Sequence, residues 1–309
     1  MGLALRQAEV ASAVIGHDPE RQASNEAKRV GAVDQVHWNL IAACEDSDLV
    51  LLATPVGALE ETLKALGPNL RPGCVVIDTA SVKRPVLTWA AENLPREVHF
   101  IGGNPVPITP FEGQRGLAAA RADLFQKGLF CLVPSPTADT SAVKLATDLV
   151  SILGARPLFM DAAEHDGLVA AMDQLPVILA LAMLEMAIQQ PAWRELRKIG
   201  GPAFEASTQL VTPTSAAHSD LYLLNRDNVV RWIDQLTVAL DSVRQILDGN
   251  EAEVLAGRFQ QAIQERQKWL AERTEGQWQE VPRAEMPPRM SLLDTMFGTF
   301  WRRKPKGKA

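Results

Sequence analysis

Three stretches of this 309-residue chain put a reactive side chain where a strand or helix would hold it. In the first, the apolar run Ala13-Val14-Ile15-Gly16-His17 ends on Asp18. An acid at the carboxyl end of a strand in a nucleotide-binding strand-helix-strand unit binds the ribose hydroxyls of an adenosine and disfavours a 2′-phosphate. NAD is therefore favoured over NADP, although Arg21 could reach a phosphate. The same Asp18 opens Asp18-Pro19-Glu20-Arg21, a helix start with Asp as N-cap and Pro at the first helical position; the two roles are compatible. In the second stretch, Thr54-Pro55-Val56 follows an apolar strand and either lies along the cofactor at the carboxyl edge of a sheet or forms a structural turn. The third is Asp173, an acid in an apolar helix beside Pro176, where burial would raise its pKa toward values useful in proton transfer. Its alternative is a buried acid paired with an arginine or lying at a subunit interface.

Other titratable groups offer less. His17 and His37 lie in the nucleotide-binding half, His99 precedes a strand, and His218 sits in a polar loop. His165, in Glu164-His165-Asp166-Gly167, reads as a solvated cap at a helix start. Cys44, Cys74 and Cys131 are odd in number, far apart and without CxxC spacing, which argues against a disulfide framework or a zinc site. Reduced cytosolic thiols follow, and no metal is expected.

The elements that must hold these groups are legible in the pattern. From Ser12 to about Asp161, short runs rich in Val, Ile and Leu alternate with amphipathic helices, which predicts a parallel sheet covered on both faces. After Asp161 the segments 162–190 and 226–250 read as helices with no convincing strand between them. The expected organisation is an α/β nucleotide-binding domain over 1–161, a helical domain over 162–274, and a linker, amphipathic segment and basic tail over 275–309. The whole chain is 47% hydrophobic and 22% charged, with a net charge of -6. Its last nine residues hold five basic groups, leaving 26 basic against 37 acidic side chains in residues 1–300. That body would repel nucleic acid. No signal peptide is visible, and the most apolar run, Leu175 to Leu184, falls short of the roughly 20 residues a membrane helix needs. A soluble, cytoplasmic protein without a membrane span is expected.

Taken in order, "VIGHDPER", "DLVLLATPV", "VVIDTASVK", "FIGGNPVP", "AARADLF" and "AAEHDGLVAAMDQLP" resemble the motifs of prephenate and arogenate dehydrogenases. The resemblance covers roughly residues 1–250. It implies a Rossmann domain followed by a helical domain through which two subunits dimerise. The implied reaction passes a hydride from a ring hydroxyl carbon of a small-molecule substrate to NAD or NADP and expels carbon dioxide, in tyrosine biosynthesis. Family members begin with a strand, a Gly-x-Gly-x-x-Gly turn and a helix whose end matches "MGLALR"; the strand and glycine turn have no counterpart here. In the usual order 3-2-1-4-5-6 that strand is central, so strands 2 and 4 should lack a shared partner. A shortened chain and a start upstream of Met1 both explain this, and the second is preferred because Asp18 and the other strand-end residues still suit a dinucleotide.

The resemblance also assigns roles. Ser81 and Lys83 match a loop near nicotinamide and substrate, with Ser81 alternatively capping a helix that begins at Val82. Asn104 stands where the family has the histidine that bonds the substrate hydroxyl and helps take its proton; an amide can position a hydroxyl but is no base near neutral pH. Asp173 and Gln174 fall within a second motif whose two histidines are missing. Glu205 replaces an arginine that grips a substrate carboxylate, and Gln209 replaces a second arginine. Candidate catalytic residues are thus Ser81, Asn104 and Asp173; cofactor contacts are Asp18, Thr54, Pro55, Val56 and Ser81; substrate contacts are Lys83, Gln174 and Glu205. The departures leave three readings: a dehydrogenase of this type, a catalytically silent dimeric homologue with a binding role, and a dehydrogenase of a less anionic substrate.

Overall fold

The structure, a computed structural model, describes residues 1–108, 119–213 and 219–278. The amphipathic segment and basic tail expected beyond the linker, and the loop carrying His218, lie outside the described residues. Helix α1 (Gly2–Ala8) leads to β1 (Ile15–Gly16), α2 (Arg21–Arg29) and β2 (Gln35–Val36). Then come α3 (Leu40–Cys44), β3 (Leu49–Leu52), α4 (Val56–Leu66), β4 (Val75–Asp78), α5 (Arg84–Asn93) and β5 (His99–Val106). The α/β half closes with β6 (Leu129–Pro134), α6 (Thr140–Ile152) and β7 (Arg156–Phe159).

Pairing divides these strands into two sheets. β1 and β2 form a parallel pair, and β3-β4-β5-β6-β7 form a second sheet in chain order. Among the described residues no ladder joins β1 to β3, as expected when the strand that would lie between them has no counterpart. The two-residue β2 carries no apolar run and is not marked by hydrophobic pattern. The larger sheet is parallel from β3 to β5, but β6 runs antiparallel to β5, with Val106 opposite Leu129. This corrects the expectation of an all-parallel sheet. The chain leaves β5 and enters β6 at the same end of the sheet, as an antiparallel pair requires.

Alternation along the strands supplies a core on each face. Val76 and Phe100 point to one side, against Leu59, Leu63 and Leu66 of α4 and Val86 and Ala90 of α5. Val75, Ile77 and Ile101 point to the other, against Ala142, Ala146, Leu149 and Val150 of α6 and Ala4 of α1. β4 is buried along its whole length, which makes it the stiff centre of the domain. Asp139 caps α6 by accepting the Ala142 amide at 2.8 Å. Asp161 does the same for the next helix, accepting the Glu164 amide at 2.8 Å.

That next helix opens the helical half. α7 (Ala162–Val169) passes through one π-helical turn (Ala170–Gln174) into α8 (Leu175–Ile188). The continuous helix, Ala162–Ile188, has 27 residues and is long and apolar enough to cross a membrane by length and composition. The apolar run is thus part of the helix expected over 162–190, and Pro176 sits in the first turn of α8 and does not stop the chain. α9 (Trp193–Ile199), α10 (Pro202–Thr208), α11 (Ser219–Leu224), α12 (Arg226–Asp248) and α13 (Ala252–Glu275) follow. Little of this half is covered: Ala180 is the one buried residue of α8 and Val229 the one of α12. Val238, Leu240, Leu247 and Phe259 stand exposed.

Candidate active site

The carboxyl ends of β4 and β5 meet the helical half through a buried polar network. Its floor is Asp78, the last residue of β4 and fully buried. Asp78 accepts the Gly103 amide at 3.0 Å and the Ala80 amide at 2.9 Å. It is also ion-paired with Lys83, whose Nζ donates to the Gly103 carbonyl at 2.7 Å. Burial lowers the Lys83 pKa, and the neighbouring Asp78 opposes that shift. The paired glycines make this packing possible. A β-carbon on Gly103 would fall 2.4 Å from the Asp78 carbonyl oxygen, and one on Gly102 would fall 2.8 Å from Cδ of Lys83.

Above this floor, Asp166 of α7 reaches across to the start of α5. Its Oδ1 accepts the Lys83 amide at 2.6 Å and its Oδ2 the Arg84 amide at 2.9 Å. Asp166 therefore caps α5 from the other domain, and Ser81, expected to do so, leaves its hydroxyl half-buried with no partner among the described residues. Oδ1 of Asp166 also contacts Nδ1 of His165 at 2.9 Å, and Nε2 of His165 contacts Nδ2 of Asn104 at 3.0 Å. His165 is fully buried, which overturns its reading as a solvated cap. Adjacency to Asp161 and Glu164 at a helix start suggested exposure, whereas its actual neighbour lies 61 residues away on β5. The usable signal was the tight His165-Asp166 pair inside a motif that already carried the resemblance.

The same hub extends into the π turn. Nδ2 of Asn225 donates to the Asp166 backbone carbonyl at 2.9 Å and to Oε1 of Gln174 at 2.8 Å. Gln174 is buried, and its Nε2 has no partner among the described residues. Asp173, one residue earlier, is exposed and not buried as expected, yet desolvation by the groups packed around it still raises its carboxyl pKa. Burial raises the Tyr222 pKa too, with the Asp173 charge adding to the effect. Asn225 and Asp166 were not singled out from sequence, and His165 was given another role.

The other expected residues are distributed as follows. Asp18 is exposed, and its Oδ1 accepts the Glu20 amide at 2.8 Å in a turn that precedes α2; the helix begins at Arg21, so neither Asp18 nor Pro19 takes the helix-start position expected of it. Thr54 is half-buried and Pro55 exposed at the end of β3. Val56 turns inward as the first residue of α4 and joins the core, which removes it from the surface a cofactor would touch. Lys83, expected at the substrate, has its ammonium fully enclosed by Asp78 and Gly103. Glu205 is exposed on α10, and its carboxylate makes no hydrogen bond or ion pair among the described residues. The arrangement thus brings Ser81, Asn104 and Gln174 to one seam, keeps Asp18 and Thr54 at strand ends of the nucleotide half, and withdraws Lys83 and Val56 into the interior.

Similarity to known proteins follows the same division. Residues 1–158 match the family model "Prephenate dehydrogenase, nucleotide-binding domain", and residues 161–261 match "Prephenate dehydrogenase, dimerization domain". The prephenate dehydrogenase of Bacillus subtilis is 25% identical over 267 residues, covering 85% of this chain and 70% of that protein. The cyclohexadienyl dehydrogenase of Zymomonas mobilis is 25% identical over 250 residues, covering 80% of this chain and 83% of that protein. In fold, the chain resembles the prephenate dehydrogenase of A. aeolicus solved with hydroxyphenyl propionate and NAD+, with a TM-score of 0.77 at 23% identity, over 86% of this chain and 92% of that one. The hinge between the two matched models falls where Asp161 caps α7, and the Asp166 hub closes the seam just beyond it; the chain belongs to the prephenate dehydrogenase family.

Proposed function

We propose that the protein is a nicotinamide-dependent dehydrogenase of a cyclohexadiene acid such as prephenate or arogenate, acting in tyrosine biosynthesis. The observation that supports this reading is the match of both halves to the prephenate dehydrogenase models, with Asn104 held against the His165-Asp166 pair where the halves meet and Gln174 tied to the same Asp166 through Asn225. NAD suits this surface better than NADP: Asp18 is exposed with one carboxylate oxygen free of the turn, and a 2′-phosphate there would meet its charge. The cofactor supplies a hydride acceptor. Ser81 and Asn104 would hold the ring hydroxyl so that the hydride on its carbon faces that acceptor. As the hydride leaves, a ring carboxylate departs as carbon dioxide and its bonding pair makes the ring aromatic. Asn104 serves as an acceptor, not a base, so turnover should be slower than a histidine would give by about two to four powers of ten.

Asp173 and Glu205 favour a second substrate class. Neither is paired with a cation among the described residues, and by the resemblance Glu205 stands where the family has a carboxylate-binding arginine. A substrate with fewer carboxylates, or one bearing an amine, meets these acids better than a dianion. The exposed apolar residues of α12 and α13 support a homodimer that covers the helical half, including the long apolar helix, and a cytoplasmic location accords with that assembly.

The test is direct. Binding of NAD and of NADP should be measured on the purified chain, followed by reduction of the cofactor in the presence of prephenate or arogenate. Binding of NAD with turnover of either acid supports the first reading. Binding without turnover of either favours the altered substrate, and failure to bind both nucleotides, also when the protein is expressed from a start upstream of Met1, eliminates every dehydrogenase reading.

A further inference from the structure

The network beneath Asn104 holds an asymmetry that decides what Asn104 can recognise. Asp166 offers only acceptor oxygens, and they are already engaged by the Lys83 and Arg84 amides. The proton between Asp166 and His165 must therefore sit on Nδ1 of the imidazole, which leaves a lone pair on Nε2. That lone pair faces an amide nitrogen at 3.0 Å, so Asn104 must donate through Nδ2. Its Oδ1 then has no partner among the described residues, while the residue keeps 7% of its surface exposed.

We infer that His165 is a positioning residue: held in its Nδ1–H form by Asp166, it locks the Asn104 amide so that Oδ1 is presented as a hydrogen-bond acceptor to a substrate that carries a donor. An unrestrained asparagine can rotate and offer either end. The locked one selects a hydroxyl or an amine and rejects a carbonyl at the same place. The lock is built from both domains, since Asn104 lies on β5 and His165 and Asp166 on α7. It also shares its anchor with the π turn, because the Asp166 carbonyl holds Asn225, which in turn holds Gln174. The inference rests on Asn104 facing the substrate, as proposed above.

The experiment uses the full chain with 15N-labelled histidine and asparagine. The His165 ring should show the nitrogen shifts of the Nδ1–H tautomer, and Asp166→Asn should move it to the Nε2–H form. His165→Phe should remove the protection of the Asn104 Nδ2 protons and lower kcat by about tenfold or more, with nucleotide affinity unchanged. His165→Gln should restore much of both, since its Nε2 can donate to Asp166 while its Oε1 accepts from Asn104. An Nε2–H ring in the parent protein, or unaltered Asn104 protons in His165→Phe, overturns the inference whether or not the chain turns over prephenate. Loss of turnover in Asn104→Ala together with full turnover in His165→Phe also overturns it, leaving the substrate-facing role of Asn104 intact. Full turnover in Asn104→Ala instead removes that role, and the inference with it.

Discussion

The two halves of this molecule solve burial differently. The α/β half covers its own central strands from both faces, and even its charged pair, Asp78 and Lys83, is enclosed by chain from the same domain. The helical half turns long apolar side chains outward: Val238 is 66% exposed and Phe259 is 63% exposed, with Val229 the sole buried residue of α12. One half is stable by its internal packing; the other leaves its stabilisation to whatever covers it. The difference predicts which substitutions act at any protein concentration and which act only through assembly.

The largest effect should come from the enclosed charge. Asp78→Ala strands the Lys83 ammonium and two backbone amides, and should cost about 3–5 kcal/mol in urea-induced unfolding. Adding Lys83→Met should recover most of that loss, because the burden is the unpaired charge and not the missing bond. Next, Leu63→Ala in α4 should cost about 2–5 kcal/mol, independent of protein concentration, since Leu63 is fully buried among residues of its own chain. By contrast, Val238→Glu should shift sedimentation from dimer toward monomer, lower the melting temperature and weaken its dependence on protein concentration. If Val238→Glu leaves the assembly intact, α12 is not the covered face and the contrast between halves weakens.

The smallest effect sharpens the contrast at the π turn. Desolvation holds the Asp173 pKa above its ordinary value of 3.8, so the folded state prefers the protonated acid. The stability this contributes is present below pH 3.8 and is lost as pH rises through the raised folded value. Asp173→Asn should therefore be more stable than the parent near neutral pH, with the gain fading in acid; a gain that grows on acidification would reverse the sign.

Much of this was legible from sequence. Apolar runs and their alternation marked every strand of the larger sheet, because their burial is decided by residues within a few positions. Gly102-Gly103 and Asn104 were readable as a site through motif order. The antiparallel course of β6 was not, since strand direction depends on the end at which the chain re-enters the sheet and not on the strand's composition. Lys83 was taken for a substrate contact because the resemblance puts it in a loop near nicotinamide and substrate. Only the register of β4 against β5, which puts Asp78 and the Gly103 carbonyl around its ammonium, draws it inside. His165 failed for the same reason: local sequence describes a helix start, while burial arises from a partner on another domain.

Asp166 takes the amide protons of both Lys83 and Arg84 from across the seam. Those two protons can meet solvent only when α7 parts from the start of α5. Their deuterium exchange is therefore a clock for domain opening, readable without ligand or label, and its slowing on addition of nucleotide or substrate would measure how far each holds the halves together.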